Sequence, residues 1–520
     1  MRGQFDTPNS RVQHHVSATS WGAEDRTPAT TRRTVGNTAT FRTDPRRSVV
    51  SADLAVVGCT LATADRMVDA GLAVKDGTIV AVGTREELPS ADRIIDVGGN
   101  VVMPGVVDPH VHIDGFNSIE RYRTGTAAAA LGGVTSIINF AWQTWNGTRE
   151  RDADGSVWND SGSLLDAIKR QRDRASEAYV DYGLHATVTA EDRSVFDEFA
   201  TLPDVGVTSV KFFTTYDVGV SNGFLRTAFE RLASVGLVAL VHTEDDSVCK
   251  ALTDEKRKVG ERNPTAYPAS RPNYAEAMAL SDALTLARET RCRYYGVHTT
   301  CGAACDELAA PRTDGSLIRG ETCTHYTVLT DSTYAEQGMR ALQAPPLRTD
   351  DDIEALFAAL RDGTLSVVST DHVASERTEK TAGDWWDTSL GVNSLQTSLP
   401  VFHDEAIVRR GLPFPFLIRV MCMNPAKTFG LPNKGRLRVG ADADFVVFDP
   451  DETHRIDSAD NVSSADYSVY DGREVTGQVK QTFVRGKLVA DSGEIVASPG
   501  HGDYLSREIP EWQSGGIICD

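Results

Sequence analysis

Eight apolar runs of strand length recur through the middle of the chain, most of them separated by a polar or amphipathic stretch long enough for a helix. They are VVMPGVVDPHVH, VTSIINFAW, YVDYGLHATVT, GVTSVKFF, GLVALVHTE, RCRYYGVHTT, LIRGETCTHY and LSVVSTDH. Segments such as SLLDAIKRQRDRASEAYV and YAEAMALSDALTLARET have helical patterning and fill the gaps. Near-continuous apolar strands alternating with helices predict a parallel sheet buried on both faces, and eight such units predict a TIM (β/α)8 barrel. The fold class expected is therefore α/β.

The flanks have a different texture. From Ser48 to about Val102 short alternating segments appear (DLAVVGC, GLAVKDGTIVAVG, RIIDVGGNVV), with turn signals at Asp76-Gly77 and Gly98-Gly99. The same pattern returns in ADADFVVFDP and GQVKQTFVRGKLVADSGEIV. We expect both chain ends to build one small β-sandwich beside the barrel. The expected organisation is a disordered tail over 1–47, a sandwich from 48–102 and 434–496, a barrel over 103–433 and a C-terminal tail over 497–520. The first of these is rich in Thr, Arg, Asn and Ser without apolar period, so it cannot offset its ordering entropy.

Composition narrows the partners. A chain of 520 residues exceeds the size at which one core stops growing, which fits two structured domains. No apolar run approaches the roughly 18 residues of a membrane span. Lys plus Arg 53 against Asp plus Glu 73 gives 53 − 73 = −20, a field that repels nucleic acid and acidic membrane surfaces. Small-molecule chemistry is favoured. The eight cysteines form no disulfide framework, and no apolar signal region follows the N-terminus or Arg32-Arg33, so a cytoplasmic protein is expected.

Candidate chemistry gathers at the strand ends. His110 and His112 are separated by one residue, and in a strand such residues face the same way. Lys211 is placed at the end of the fourth run, His242 the fifth, His298 the sixth and Asp371 the eighth. The C-terminal strand ends are where barrel enzymes keep their reacting groups. Taken singly, each histidine is read first as a satisfied core or surface residue, and His185, His325, His372 and His403 keep that reading. Four imidazoles converging with a lysine and an aspartate are another matter in a chain with 12 histidines. They suit divalent cations such as Zn2+ and exceed one tetrahedral site, which points to two ions. A lysine carboxylated on Nζ by carbon dioxide offers a bridging head, a hypothesis for Lys211. Cys301 and Cys305 follow His298 at a spacing that equally suits one helix face, and are left out of the site. Tyr216, five residues beyond Lys211, could donate to an oxyanion or simply pack.

The motifs PGVVDPHVHID, TGTAAAALGGVTSIINF, DYGLHATVT, SVKFFTTY, VHTE, RPNYAEA, GVHTT, APPLR, STDH and NPAKTFGLPNKGRLRVGADADFVVFDP together resemble the cyclic-amidohydrolase superfamily, most closely its dihydropyrimidinase and hydantoinase branch. The resemblance spans roughly Asp53 to Val496. It implies hydrolytic opening of a dihydropyrimidine or hydantoin ring to an N-carbamoyl amino acid. It also implies one metal on His110, His112, carboxylated Lys211 and Asp371, and a second on Lys211, His242 and His298. Asp371 would move the proton, Tyr216 would hold the oxyanion, and Asn393 and the Ala344 backbone would contact the ring. A homotetramer or homodimer is implied too.

Ala344 stands where the branch often has Ser or Cys. The loop carrying Glu120, Arg121 and Arg123 is read as a solvated charged loop, the alternative being that Arg121 or Arg123 pairs with an anionic substituent. Trp142 and Trp145 lie where the branch varies. Allantoinase- or dihydroorotase-like activity is the rival reading, although Ile113-Asp114 replaces the Leu-Arg usual after HxH in dihydroorotases. A non-catalytic scaffold is the rival of another class.

Overall fold

The computed structural model describes residues 51–115, 118–143, 162–310 and 315–512. The N-terminal tail expected over 1–47, Trp145 and the last residues of the C-terminal tail lie outside them.

All eight expected strands form. They are β1 (Val106–His112), β2 (Val134–Trp142), β3 (Asp181–Thr187), β4 (Ser209–Phe213), β5 (Val238–His242), β6 (Arg293–Gly296), β7 (Ile318–Cys323) and β8 (Val367–Ser369), followed by the two-residue β9 (His372–Val373). Every neighbouring pair is parallel, in sequential order from β1 to β8, with β9 against β1. Only Thr370 and Asp371 separate β8 from β9, so one short run hydrogen-bonds to both edges of the sheet. The inward-facing apolar residues meet in one cluster that includes Val107, Ile138, Phe140, Leu240, Tyr295 and Phe429.

The helices between strands bury one stripe each. Helix Asn273–Thr290 buries Ala275, Ala279, Leu280, Ala283, Leu284 and Ala287, a spacing of three and four that places them on one face. Helix Leu164–Arg174 starts where the Ser163 hydroxyl accepts from two backbone N–H groups. It stops earlier than its sequence pattern suggests. A short 3-10 turn follows, and Ala178 turns extended so that Tyr179 and Val180 lead into β3.

Two further sheets draw on both ends of the described chain. One has four strands, all between Ala52 and Asp96. The other has seven, in which Val101–Pro104 pairs antiparallel with Phe445–Phe448. Leu54, Val56, Leu72 and Val74 from the first sheet share a core with Val102, Phe445 and Phe483 from the second. Val101–Pro104 then continues through Gly105 directly into β1. A Cβ at Gly105 would lie 2.0 Å from the Thr135 hydroxyl, so only glycine lets the chain pass.

The described part of the C-terminal segment runs along its own chain. Tyr182 N–H donates to Asp503 and Leu505 N–H to Tyr182, at 3.0 and 2.7 Å, while Arg507 and Trp512 are buried. Among the described residues no helix is long and apolar enough to cross a membrane.

Candidate active site

The predicted metal-site residues and Tyr216 come together at the C-terminal edge of the parallel sheet. His110 and His112 occupy β1, and the pleat presents both to the same side. Their Nε2 atoms each lie 3.1 Å from the same oxygen of Asp371, Oδ1. Ligand atoms of these three residues lie within 4.8 Å of one another. His298 faces His110 with ring centroids 5.5 Å apart and meets His242 edge-on at 4.5 Å. Lys211, placed by sequence at a strand end, is instead the central residue of β4. Its long side chain still carries Nζ to this group, buried between the Phe140 and Phe213 rings at 5.4 and 5.1 Å. Tyr216 packs edge-on against His242 at 5.3 Å.

Three of these residues sit in left-handed backbone that side chains normally avoid: Tyr216 (φ 66°), His298 (φ 38°) and Asp371 (φ 44°). Such conformations cost on the order of 1–3 kcal/mol each and persist where surrounding structure over-determines them, commonly at functional sites. Asp371 owes its position to the break between β8 and β9, where the chain leaves one sheet edge and joins the other.

The charge state suits a cation. Burial holds His242 and His298 well below the ordinary imidazole range, and lowers His112 to about 4, so all three are neutral ligand forms. For His110 burial opposes charging, but the Asp371 and Glu321 carboxylates outweigh it and raise the group to about 9. A bound cation would supply the positive charge that this ring otherwise takes as a proton. The buried Nδ1 of His112 has no hydrogen-bond partner among the described residues. Burial pushes Lys211 down to about 8, which leaves a fraction of free amine near neutral pH. The residues therefore fit a site for divalent metal.

Several supporting residues are not among those that the sequence singles out for the cluster. Glu321 in β7 is fully buried; it pairs with His110 Nδ1, accepts from Tyr295 OH at 2.8 Å and from the His298 N–H at 3.2 Å. Its signal was a carboxylate in the middle of an expected core strand, which burial permits only with partners. Asp108 accepts from Thr370 Oγ1 at 2.6 Å and from the His110 N–H at 3.1 Å, joining β1 to the break that carries Asp371. Glu244 accepts from Arg271 at 2.6 Å and lies 2.8 Å from His242 Nε2.

Other expectations need correction. Glu120 is not solvated: it is buried against His372 at 3.1 Å, with Ser463, Ser464 and Thr124 donating to it. A helix starting at Tyr122 draws this stretch inward, which loop composition could not reveal. Arg121 already faces Asp114 at 2.7 Å and Arg123 faces Glu177 at 3.1 Å. Trp142 ends β2 and stacks on Phe213 at 5.5 Å. Asn393 donates its amide to the Tyr467 carbonyl at 2.7 Å, leaving Oδ1 buried without a partner among the described residues. The neighbouring Val392 bridges to His372, and the buried Lys380 donates to the carbonyls of Leu342, Ser389 and Gly391. Lys380 thus ties the Asn393 loop to the segment leading into Ala344. Among the described residues neither Asn393 nor Ala344 hydrogen-bonds to the histidine cluster; the Asn393 amide is taken by Tyr467.

A parallel βα sheet with an HxH strand, a buried lysine and an aspartate at its C-terminal edge defines a class, and the chain belongs to the amidohydrolase family, whose model matches residues 101–489. Within that class it is similar to the D-hydantoinase of Ralstonia pickettii, 31% identical over 470 residues covering 88% of this chain and 99% of that protein. It is as similar to the L-hydantoinase of Paenarthrobacter aurescens, 31% identical over 467 residues covering 88% and 98%. The crystal structure of dihydropyrimidinase from Brevibacillus agri NCHU1002 matches with TM-score 0.82 at 28% identity, over 88% of this chain and 99% of that one.

Proposed function

We propose that this protein is a metal-dependent cyclic amidase that opens a dihydropyrimidine or hydantoin ring to an N-carbamoyl amino acid. The observation that carries this reading is the convergence of His110, His112 and Asp371 on one point beside His242, His298 and the buried Lys211. The family and the hydantoinase relatives support it over nearly the whole described chain. We read the parallel sheet as a (β/α)8 barrel and the two flanking sheets as a β-sandwich, with barrel bounds near 103–433.

His110, His112 and Asp371 would hold one divalent ion, His242 and His298 a second, with Lys211 carboxylated on Nζ as the shared ligand. Zn2+ fits this nitrogen- and oxygen-rich set. Bound divalent ions lower the pKa of a water toward neutrality and polarise an amide carbonyl. The chain's own residues do the rest. Asp371, kept ionised well below the ordinary carboxylate range because the charge of His110 and the hydrogen bonds of His110 and His112 outweigh its burial, accepts the proton of the attacking water and passes it to the leaving ring nitrogen. Tyr216 stays a phenol, since burial pushes its pKa well above the ordinary value, and donates to the oxygen on which charge develops. The Asn393 loop and the Ala344 backbone would bracket the ring amide, held in register by Lys380. The two hydantoinase relatives of opposite hand are equally similar, so handedness rests on these loops. A cytoplasmic homo-oligomer remains part of the proposal.

The test is hydrolysis of dihydrouracil, substituted hydantoins, allantoin and dihydroorotate by Zn2+-loaded protein, with a chelator-treated sample and Lys211→Ala as controls. We expect turnover of dihydrouracil or a hydantoin that both controls abolish. Turnover of allantoin or dihydroorotate alone would move the protein to the rival branch. Silence with two metals bound would mean another lactam or imide, and silence without metal would mean a scaffold.

A further inference from the structure

Behind His242 and His298 lies a buried charged network that the proposed chemistry does not use. Arg271 donates to Glu244 at 2.6 Å, and Glu244 lies 2.8 Å from His242 Nε2, which leaves Nδ1 of that ring as its free donor atom. On its other side the Arg271 guanidinium stands 5.1 Å from the centre of the Tyr216 ring. A second arginine closes the network. Arg348 donates to the Arg271 carbonyl at 2.5 Å, to Thr300 Oγ1 at 3.0 Å and to Glu276 at 3.1 Å, while Glu276 accepts the Thr300 N–H at 2.9 Å. Two carboxylates and two guanidiniums thus neutralise one another where none is well exposed. Breaking such a set strands a buried charge, so its geometry is rigid.

We propose that Arg271 is a positioning residue that sets two functional groups at once, His242 through Glu244 and Tyr216 through its ring face. The inference rests on the proposed function for the Tyr216 half. Each target needs a constraint on its ring that its own loop does not supply. A ligand imidazole is oriented by a carboxylate on its other nitrogen, and that carboxylate must itself be held. Here Arg271 is the group that holds it. Tyr216 sits in left-handed backbone on a short loop; Asp246 accepts from its N–H at 3.1 Å, and the ring packs between His242 and Arg271. A planar guanidinium can donate to a carboxylate along its edge while its face lies on an aromatic ring, whereas a compact ammonium has no flat face and cannot hold both contacts in that fixed geometry. This also explains why the RPNYAEA and APPLR stretches accompany the histidines: they supply Arg271, Glu276 and Arg348.

The distinguishing variants are Arg271→Lys, Arg271→Met and Tyr216→Phe, with the full chain. Zn2+ stoichiometry and affinity are read by chelator competition, the ligand field by the visible spectrum of the Co2+-substituted protein, and kcat and KM separately. Arg271→Lys is expected to bind both ions with near wild-type affinity while kcat falls about 10-fold at unchanged KM. Adding Tyr216→Phe to it should cost little more than Tyr216→Phe alone, because the two act as a unit. Arg271→Met should also weaken one of the two ions by about 10- to 100-fold and change the Co2+ spectrum. Should Arg271→Met fail to fold, Glu244→Gln gives the metal arm on its own, with the same weakening expected. Wild-type kcat in Arg271→Lys, full additivity with Tyr216→Phe, or unaltered metal affinity in Arg271→Met or Glu244→Gln would overturn the proposal. A wild type that binds two ions but opens no ring would sink the proposed function and still leave the metal arm decisive for Arg271.

Discussion

At the residue scale the buried ionisable groups divide into those facing the candidate metal site and those that hold its walls. Glu120 belongs to the walls. His372 Nδ1 accepts from the N–H groups of Ser394 and Leu395 at 3.2 and 3.4 Å, so its Nε2 is the donor to Glu120. Burial would raise the Glu120 carboxyl, but His372, Ser463 and Thr124 outweigh it and lower the group to about 2 from 4.5. A depressed carboxylate stabilises the fold above its unfolded pKa and loses that contribution as pH falls through the folded value. With the His372 ring neutral, the hydrogen bonds carry the effect, and the expected contribution is on the order of 1–3 kcal/mol at neutral pH. In urea unfolding, the stability gap between wild type and Glu120→Gln should therefore be widest at neutral pH and shrink below about pH 4.5. A gap that stays constant as pH falls would mean that Glu120 is not held as a carboxylate. From sequence this residue looked like loop charge, because periodicity does not report which polar side chain a neighbouring segment covers; Ser463 lies more than three hundred residues away.

At the element scale the sheet order followed from pattern, since apolar runs separated by helices leave few topologies to a right-handed βα chain. What pattern did not show is how the C-terminal segment closes against the sheet. Gly430 (φ 73°) accepts the Glu508 N–H at 2.9 Å, and a Cβ there would lie 1.8 Å from the Glu508 carbonyl oxygen. Gly440 (φ 88°) has the same backbone demand with nothing within 4 Å. Gly440→Ala should cost about 1 kcal/mol from conformation alone, and Gly430→Ala distinctly more because the 501–512 segment must move. Urea unfolding supplies both costs, and fluorescence of Trp512, whose indole donates to the Thr428 carbonyl at 3.1 Å, reports the displacement. Equal costs for the two variants would show that the segment yields freely.

At the scale of the whole molecule one lysine links the parallel sheet to the flanking sheets. Lys434 Nζ lies 2.6 Å from Asp181 at the start of β3, 2.9 Å from Asp442 and 2.7 Å from Asp444, while Arg485 also pairs with Asp181. These three aspartates could hold a cation, and the ammonium occupies that role. Lys434→Met should destabilise the protein by about 3–5 kcal/mol by leaving buried carboxylates unpaired, and adding Asp444→Asn should restore part of it. A loss under about 1 kcal/mol in denaturant unfolding would contradict this coupling. The amino-acid sequence by itself determined the strand and helix succession, the amidohydrolase class and the identity of the histidine, lysine and aspartate cluster. The succession is written in local periodicity, the class in the set of motifs that resembles the superfamily, and the cluster in polar residues within or just beyond the C-terminal halves of apolar runs. Tertiary structure alone decided the burial of Glu120, the pairing of His110 with Glu321 and of His242 with Glu244, and the seating of Lys434 among three carboxylates. Each joins residues distant in the chain or hidden by packing, and the cost of burying an unpaired charge is what selects such partners.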